Sequence, residues 1–391
     1  MPIESTTTQK LNRRLRLGMV GGGRGAFIGA VHRIAARLDD RWQLVAGALS
    51  SDPERGRLSG EDLLLDPTRL YADATEMAKR EKRRKDGLDA VAIVTPNHAH
   101  APAAKAFLKA GIHVICDKPL TTSLREAESL AKLAKDNGLI FAVTHNYTGY
   151  PLVRQARAMV VEGALGKLRV VQVEYAQDWL ATRLEESGQK QAEWRTDPAR
   201  SGPAGAIGDI GSHAFNLAEF IENDEVEALA AEAHVFVEGR RLDDNAHMLL
   251  RFRGGARGML WCSQVAAGQE NGLRIRLYGE KGGLEWQQEN PNLLIYSPLG
   301  EPPRLIRRNG AGAYPVANAA SRIPAGHPEG YLEGFAQLYA DIAEQITARI
   351  EGRPPAPFST LVPTVADGVR GVRFIEAAVR SSARGARWLE L

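Results

Sequence analysis

Three side chains in this 391-residue chain have the types and spacing for acid–base work on a carbinol: Lys118, Asp209 and His213. Lys118 stands in Cys116-Asp117-Lys118-Pro119, directly after an apolar run. Asp209 and His213 lie four apart in Gly208-Asp209-Ile210-Gly211-Ser212-His213, and they share a face if helix begins by residue 209. Histidine is the side chain whose ordinary pKa suits proton transfer near neutrality without heavy tuning. A neighbouring carboxylate can fix its tautomer, and a lysine ammonium can lower the pKa of a substrate hydroxyl and stabilise the oxyanion. The same residues also have plainer readings. Asp209 could cap a helix, His213 shares a face with Leu217, Phe220 and Ile221 as a core histidine would, and Lys118 could be an exposed turn lysine.

Proton management of this kind serves hydride transfer if a dinucleotide is held nearby. The run Val20-Gly21-Gly22-Gly23-Arg24-Gly25-Ala26 follows a strand-like segment and opens a helical one. Gly21, Gly23 and Ala26 fit G-x-G-x-x-G/A, which supplies a tight turn, close backbone approach to a pyrophosphate, and close packing of helix on strand. The helix N-terminus then offers unpaired N–H groups to the phosphates. Gly29 lies beyond the usual third position, as a short insertion in the turn would place it. An acid usually closes the second strand and bonds the adenosine ribose; Ser50 occupies that place here, while Asp52, before Pro53, reads as a helix cap. With Arg24 and Arg55 in reach, Ser50 tilts the cofactor expectation from NAD toward NADP.

The elements that position these residues are legible as periodicity. From Leu15 to about residue 144, short apolar runs (15–20, 44–49, 90–94, 112–116, 139–143) alternate with helical patterns, including one on Phe27, Val31, Ile34 and Leu38 and another opened by a Ser123–Glu126 capping box. This β-α-β alternation predicts a doubly wound parallel sheet over 15–146, with ligand in the crevice at the strand carboxyl ends. Thr95, Asn97 and Lys118 sit just past such ends. After residue 147 the rhythm changes. Helices near 151–162 and 212–221 accompany strand-like runs at 168–177, 229–237, 245–252, 257–266, 273–279 and 282–287. Their short glycine turns predict antiparallel neighbours. A stretch from Pro298 to Pro328 reads as a long loop over the site, and two helices end the chain. The expected class is α/β: a Rossmann domain, then an α/β domain over 147–391 with a largely antiparallel open sheet, its C-terminal helix able to pack back on the first domain.

Two further motifs sharpen the reading. Thr95-Pro96-Asn97-His98 leaves one apolar strand and Cys116-Asp117-Lys118-Pro119 the next. With the glycine turn and Gly208 to His213, they occur in the order seen in the Gfo/Idh/MocA oxidoreductases, which the chain resembles from residue 15 onward. The family usually has Glu-Lys-Pro where this chain has Asp117-Lys118-Pro119. The resemblance implies that Lys118 lies beside the nicotinamide and the reacting carbon, that its bond to Pro119 is cis, and that Asp209 and His213 form the substrate-side pair. It implies NAD(P)-dependent hydride transfer with a sugar or cyclitol, in a homodimer or homotetramer. Gly21, Gly23, Arg24, Ala26, Ser50, Thr95, Asn97 and Lys118 would hold the cofactor. Asn146, Tyr147, Trp194, Arg195 and His327 are further substrate candidates, and segments 180–205 and 298–328 would set specificity. Two rivals fit the same fold: an NAD-dependent glycosidase working through transient C3 oxidation, and a cofactor-sensing regulator without chemistry.

Composition narrows the field. Fifty Lys and Arg against 47 Asp and Glu leave +3, which gives no electrostatic reason for a nucleic-acid or membrane partner. The run Lys82-Arg83-Arg84-Lys85 reads as a solvated helix end. Cys116 and Cys262 sit in apolar runs and imply no disulfide, as in a reducing compartment. The polar first fourteen residues lack a signal-peptide core, so the expected location is the cytoplasm. His98 and His100 form His-x-His without a matching carboxylate or cysteine cluster, so no metal is expected.

Overall fold

The computed structural model describes residues 11–391, and the polar opening segment lies mostly outside the described residues. The first half runs β1 (Leu15–Gly21), α1 (Phe27–Leu38), β2 (Trp42–Ala48), α2 (Pro53–Asp62), α3 (Ala74–Glu81), β3 (Ala90–Val94), α4 (His100–Ala110), β4 (His113–Cys116), α5 (Leu124–Asp136) and β5 (Phe141–Val143). The five strands form one parallel sheet in the order β2-β1-β3-β4-β5. β3 is buried along its whole length, as a parallel strand covered on both faces must be. The strand order reverses between β1 and β3, which opens a crevice at their carboxyl ends.

The second half runs α6 (Pro151–Val161), β6 (Leu168–Ala176), α7 (Lys190–Arg195), α8 (Pro198–Ser201), α9 (Ser212–Glu222), β7 (Val226–His234), β8 (Asn245–Phe252), β9 (Arg257–Ser263), β10 (Gly272–Gly279), β11 (Gly282–Gln287), β12 (Leu293–Pro298), β13 (Arg304–Arg307), α10 (Pro315–Ala319), α11 (Tyr331–Ile350), α12 (Val365–Ser382) and β14 (Leu389–Glu390). Its nine strands order as β13-β12-β11-β10-β6-β9-β8-β7-β14. Only the β6–β9 pair is parallel. One face packs on α6, α9 and α12, with Phe215 of α9 stacked on Phe374 of α12 at 4.3 Å. The other face is open and carries Leu249, Met259 and Tyr278, all exposed. Cys116 and Cys262 are free and buried, and among the described residues no helix is long and apolar enough to cross a membrane.

The structure differs from the sequence expectations in three places. The stretch 298–328 is not one long loop: it contains β13, which extends the sheet, and α10, which packs on α6. The apolar spacing on α1 coincides with the buried face only at Val31. Phe27, Ile34 and Leu38 are exposed, while Gly29, Val31, His32, Ala35 and Ala36 are buried. The reason is size, since small residues let α11 lie close against α1, and His32 is buried because its Nδ1 meets the Tyr339 hydroxyl at 2.8 Å. The Ser123–Glu126 box is not built as expected either. Ser123 Oγ donates to Glu126 (3.0 Å), but the open Leu124 N–H donates to Glu376 of α12 (2.8 Å). The C-terminal helix α12 lies against α5 of the first half, with Val372 in that core, and α11 packs on that half as well. Phe335, Leu338, Ile342 and Ile346 of α11 share a core with Leu17, Met19 and Val31, and Trp42 Nε1 donates to Tyr339 O (2.9 Å).

Candidate active site

The turn after β1 is shaped for a close-lying ligand. Gly21 and Gly22 adopt φ of +79° and +72°, which L side chains rarely take. A Cβ on Gly23 would lie 2.6 Å from Ser59 Oγ and 2.7 Å from Leu49 O. The third glycine's function belongs to Gly29 and not to Ala26, because a Cβ on Gly29 would come within 2.4 Å of Gly22 Cα. Ala26 instead caps α1 without a side-chain acceptor, and no acid stands in the first turn of this 12-residue helix. Its first N–H groups and positive dipole end are thus left for an anion. Thr95 Oγ1, at the end of β3 against Gly21, is buried without a hydrogen-bond partner. These observations fit a dinucleotide: a glycine cradle, a free helix N-terminus and an orphaned hydroxyl at one crevice.

Across the crevice, β4 ends at Cys116 and delivers Asp117 and Lys118, whose bond to Pro119 is cis. Thr144 Oγ1, just past β5, donates to Asp117 Oδ1 (2.6 Å), and His32 Nε2 lies 3.7 Å from the same oxygen. Burial raises the Asp117 carboxyl, yet the adjacent His32 ring and the Thr144 hydrogen bond outweigh it and hold the group well below the ordinary carboxylate range. His100 braces this loop, with one ring nitrogen 2.9 Å from Pro119 O and the other 2.8 Å from Thr95 O.

Lys118 Nζ crosses to the second half and meets Asp209, donating to its Oδ1 (3.0 Å) and also to its backbone oxygen. Asp209 lies in a wide turn of π-helix, Ile207–Gly211, that leads into α9. Its other oxygen accepts from Gln264 Nε2 (2.9 Å), beyond β9, and lies 3.2 Å from Arg195 Nε at the end of α7. Burial opposes ionisation of Asp209, but the charges of Lys118 and Arg195 prevail and keep it a carboxylate. No hydrogen bond joins Asp209 to His213. The expected Asp209–His213 couple is replaced by an Asp209–Lys118 couple, because both carboxylate oxygens already serve other donors.

His213, in the first turn of α9, stands in a nest of rings. Its centroid is 4.9 Å from Tyr147, 5.6 Å from His145 and 6.3 Å from Tyr175. Its Nδ1 is buried without a partner, as is that of His145. Burial, the Lys118 charge and the neighbouring His145 push the His213 pKa well below that of a free histidine, and burial with Lys118 lowers His145 to about 3. Both imidazoles are therefore neutral at pH 7. Tyr147 and Tyr175 share a 2.5 Å hydroxyl contact, Tyr175 donates to Asn271 Oδ1 (2.7 Å), and burial raises both phenols, so they too stay neutral.

The remaining candidates separate. Asn146 is buried with Nδ2 unpartnered, and Tyr147 adjoins His213, so the pair borders the site. Arg195 reaches Asp209 while its guanidinium carbon lies 4.3 Å from the Trp194 ring centre and 5.8 Å from that of Trp179. Asn97 Nδ2 donates to Ser201 O (2.8 Å), so its amide ties the two halves together. Ser50 Oγ accepts from Asp52 N (3.1 Å), Asp52 caps α2 as expected, and Arg24 is paired with Asp62 (2.5 and 2.7 Å). His327 is exposed, on a segment held by the buried Arg308–Glu329 pair (2.8 Å), and touches none of the site residues. Among the described residues no group of three or more His, Cys, Asp or Glu side chains could hold a metal. Sequence reasoning missed Gln264 and Tyr175, which gave no local signal.

Comparison with known proteins identifies the family. Residues 15–145 match the oxidoreductase family with an NAD-binding Rossmann fold, and residues 153–285 match the GFO/IDH/MocA C-terminal domain. The chain is 37% identical over 383 residues to the uncharacterized oxidoreductase YfiI of Bacillus subtilis, covering 97% of this chain and 98% of that one. The crystal structure of an oxidoreductase from Sinorhizobium meliloti is 56% identical with a TM-score of 0.88, covering 96% and 99%. An inositol dehydrogenase homolog from Azotobacter vinelandii, complexed with NADH and myo-inositol, is 38% identical with a TM-score of 0.90, covering 98% and 100%. The chain thus belongs to the GFO/IDH/MocA family of oxidoreductases, an NAD-binding Rossmann domain joined to that family's C-terminal domain.

Proposed function

We propose that this oxidoreductase moves hydride reversibly between a nicotinamide and a secondary alcohol of an uncharged sugar or cyclitol. The observation that carries the reading is the meeting of Lys118, from the first half, with Asp209 beside His213, from the second, at the mouth of a dinucleotide crevice. The nicotinamide, when bound, supplies the hydride acceptor or donor. Lys118 hydrogen-bonds the reacting oxygen and stabilises negative charge as it develops there. His213, neutral, takes the hydroxyl proton, or returns it in the reverse direction. Asp209 keeps Lys118 directed at the cleft and offsets the positive charge that builds up when His213 is protonated. Lys118 and Arg195 are balanced by Asp117 and Asp209, and the other site groups are neutral rings, amides and hydroxyls, which suits a polyol better than an anionic sugar. The relative from A. vinelandii, complexed with myo-inositol, supports a cyclitol among the substrates.

For the cofactor we favour NAD. Ser50, with Arg24 and Arg55 in reach, is the sequence argument for a 2′-phosphate, and of these Arg24 is paired with Asp62, whose own charge would repel that phosphate. The open face of the nine-stranded sheet supports self-association. Leu249, Met259 and Tyr278 are exposed there together, with Trp261 and His247 stacked beside them, and a second copy would cover them. The test is a spectrophotometric screen of the purified protein against sugars and cyclitols with NAD and with NADP. NAD-dependent oxidation of an uncharged polyol is expected. Turnover of phosphorylated or acidic sugars alone would overturn the substrate assignment, and a preference for NADP would overturn the cofactor assignment.

A further inference from the structure

Tyr331 opens α11, and the helix start is pressed against the turn that carries Asn146 and Tyr147. A Cβ on Gly149 would lie 2.0 Å from Gly334 O, and one on Gly334 would lie 2.7 Å from the Tyr150 ring, so only glycine at both positions permits the approach. The first turn of α11 is tied further by Glu333, which accepts from Gly330 N (2.8 Å). The Tyr331 ring packs on Phe335 with centroids 5.5 Å apart. Phe335 in turn packs on His32 (4.9 Å), which faces Asp117 (3.7 Å). One end of the side chain is thus fixed on the core of the first half while the residue stands at the cleft between the halves.

The hydroxyls of the neighbouring tyrosines are all engaged. Tyr147 meets Tyr175, Tyr175 donates to Asn271, and Tyr150 accepts from Gln288 (3.3 Å). Among the described residues the Tyr331 hydroxyl makes no hydrogen bond, and the ring is only partly buried. The nearby carboxylates do not take it up: Asp117 serves Thr144, and Asp209 serves Lys118 and Gln264. Burial, then Tyr147, Asp117, Tyr150 and Asp209, raise the phenol well above its ordinary value, so it remains a protonated donor throughout the working pH range.

We propose that Tyr331 is a substrate-binding residue whose hydroxyl donates a hydrogen bond to an oxygen of the polyol, on the side of the cleft where the first-half residues Asp117 and His32 lie. This rests on the reading of the cleft as a polyol site. A donor held ready in a fixed ring rejects an analogue that lacks the matching oxygen, because a buried polar group is then left unpaired.

The test is Tyr331→Phe, which keeps the ring on Phe335 and removes only the hydroxyl. With a polyol turned over by the wild-type enzyme, kcat/KM should fall about tenfold, chiefly through KM, as loss of one hydrogen bond implies. NADH affinity, read by nicotinamide fluorescence, and Tm should stay within error. In a series of monodeoxy analogues, one should lose a similar factor with the wild-type enzyme and nothing further with the variant. Unchanged kcat/KM in Tyr331→Phe, or a loss that follows NADH affinity, would overturn the assignment. Should Tm fall, Tyr331→Gln, which restores a donor without the ring, must recover selectivity against that analogue, and failure to do so is equally fatal. Wild-type protein inert toward every polyol would instead sink the polyol reading, and this inference with it.

Discussion

Lys118 and His213 divide the work at the reacting carbinol, and each division can be measured. Lys118→Ala removes the charge that stabilises the developing oxyanion, so kcat should fall about 10²–10³-fold, the range for loss of one such donor. NAD affinity should change little, because the glycine turn and α1 hold the phosphates. Comparable losses in kcat and NAD binding would reassign the lysine to cofactor retention. For His213 the sign follows from burial and the Lys118 charge, which lower its pKa. A base works when deprotonated, so kcat/KM for alcohol oxidation should stay flat through pH 6.5, where a free histidine titrates, and fall only at more acid pH. An acid limb at the ordinary value, or one that persists in His213→Gln, would remove His213 from the role. At this scale the sequence disclosed the reactive types and their order. It did not disclose that Asp209 serves Lys118. That contact spans 91 residues and depends on how two sheets face each other, which no local spacing encodes.

Among the elements, α1 shows where periodicity stops being informative. Its apolar residues at 27, 31, 34 and 38 make a regular stripe, yet the buried face is the one with Gly29, Ala35 and Ala36, because a second helix and the cofactor turn must both come close. Hydrophobicity ranks faces by what water disfavours, whereas close packing ranks them by what fits. Gly29→Ala therefore tests the element directly. Its methyl would overlap Gly22 Cα and carbonyl, at 2.4 and 2.6 Å, and must displace the phosphate-facing turn. Stability should drop by about 1–3 kcal/mol, as overpacking does. NAD affinity should fall more than tenfold, by isothermal titration, with polyol KM at saturating NAD nearly unchanged. Normal NAD affinity would mean that the turn tolerates rearrangement. Strands fared better than helices in the sequence. Alternating or fully apolar runs marked most of them, and the strands missed, β12 to β14, are short edge or near-edge pieces whose pairing is set by neighbours.

For the whole molecule, the open face of the larger sheet predicts assembly. Leu249→Asp places a charge on a strand pair opposite Met259, in the middle of the exposed apolar area. Sedimentation should show the wild type as a dimer or tetramer and the variant shifted toward monomer, with its Tm little altered. An unchanged mass would move the interface elsewhere. Composition and net charge place the chain among globular proteins, but nothing in them announces how its halves are joined.

That join has its own consequence. α11 is encoded after the nine-stranded sheet, yet its apolar side completes the interior of the nucleotide-binding one. Arg154 of α6 grips it through Asp341 (2.5 Å), and Pro363 O accepts from Val143 N at the edge of β5 (3.0 Å). A gene cut between residues 146 and 151 would therefore not yield two autonomous proteins. The front piece would present a bare hydrocarbon wall to water and the rear piece an unsheathed amphipathic rod, so both fragments should aggregate alone and reassemble when refolded together. In this chain, the boundary between the two sheets and the boundary at which the polypeptide can be severed are different places.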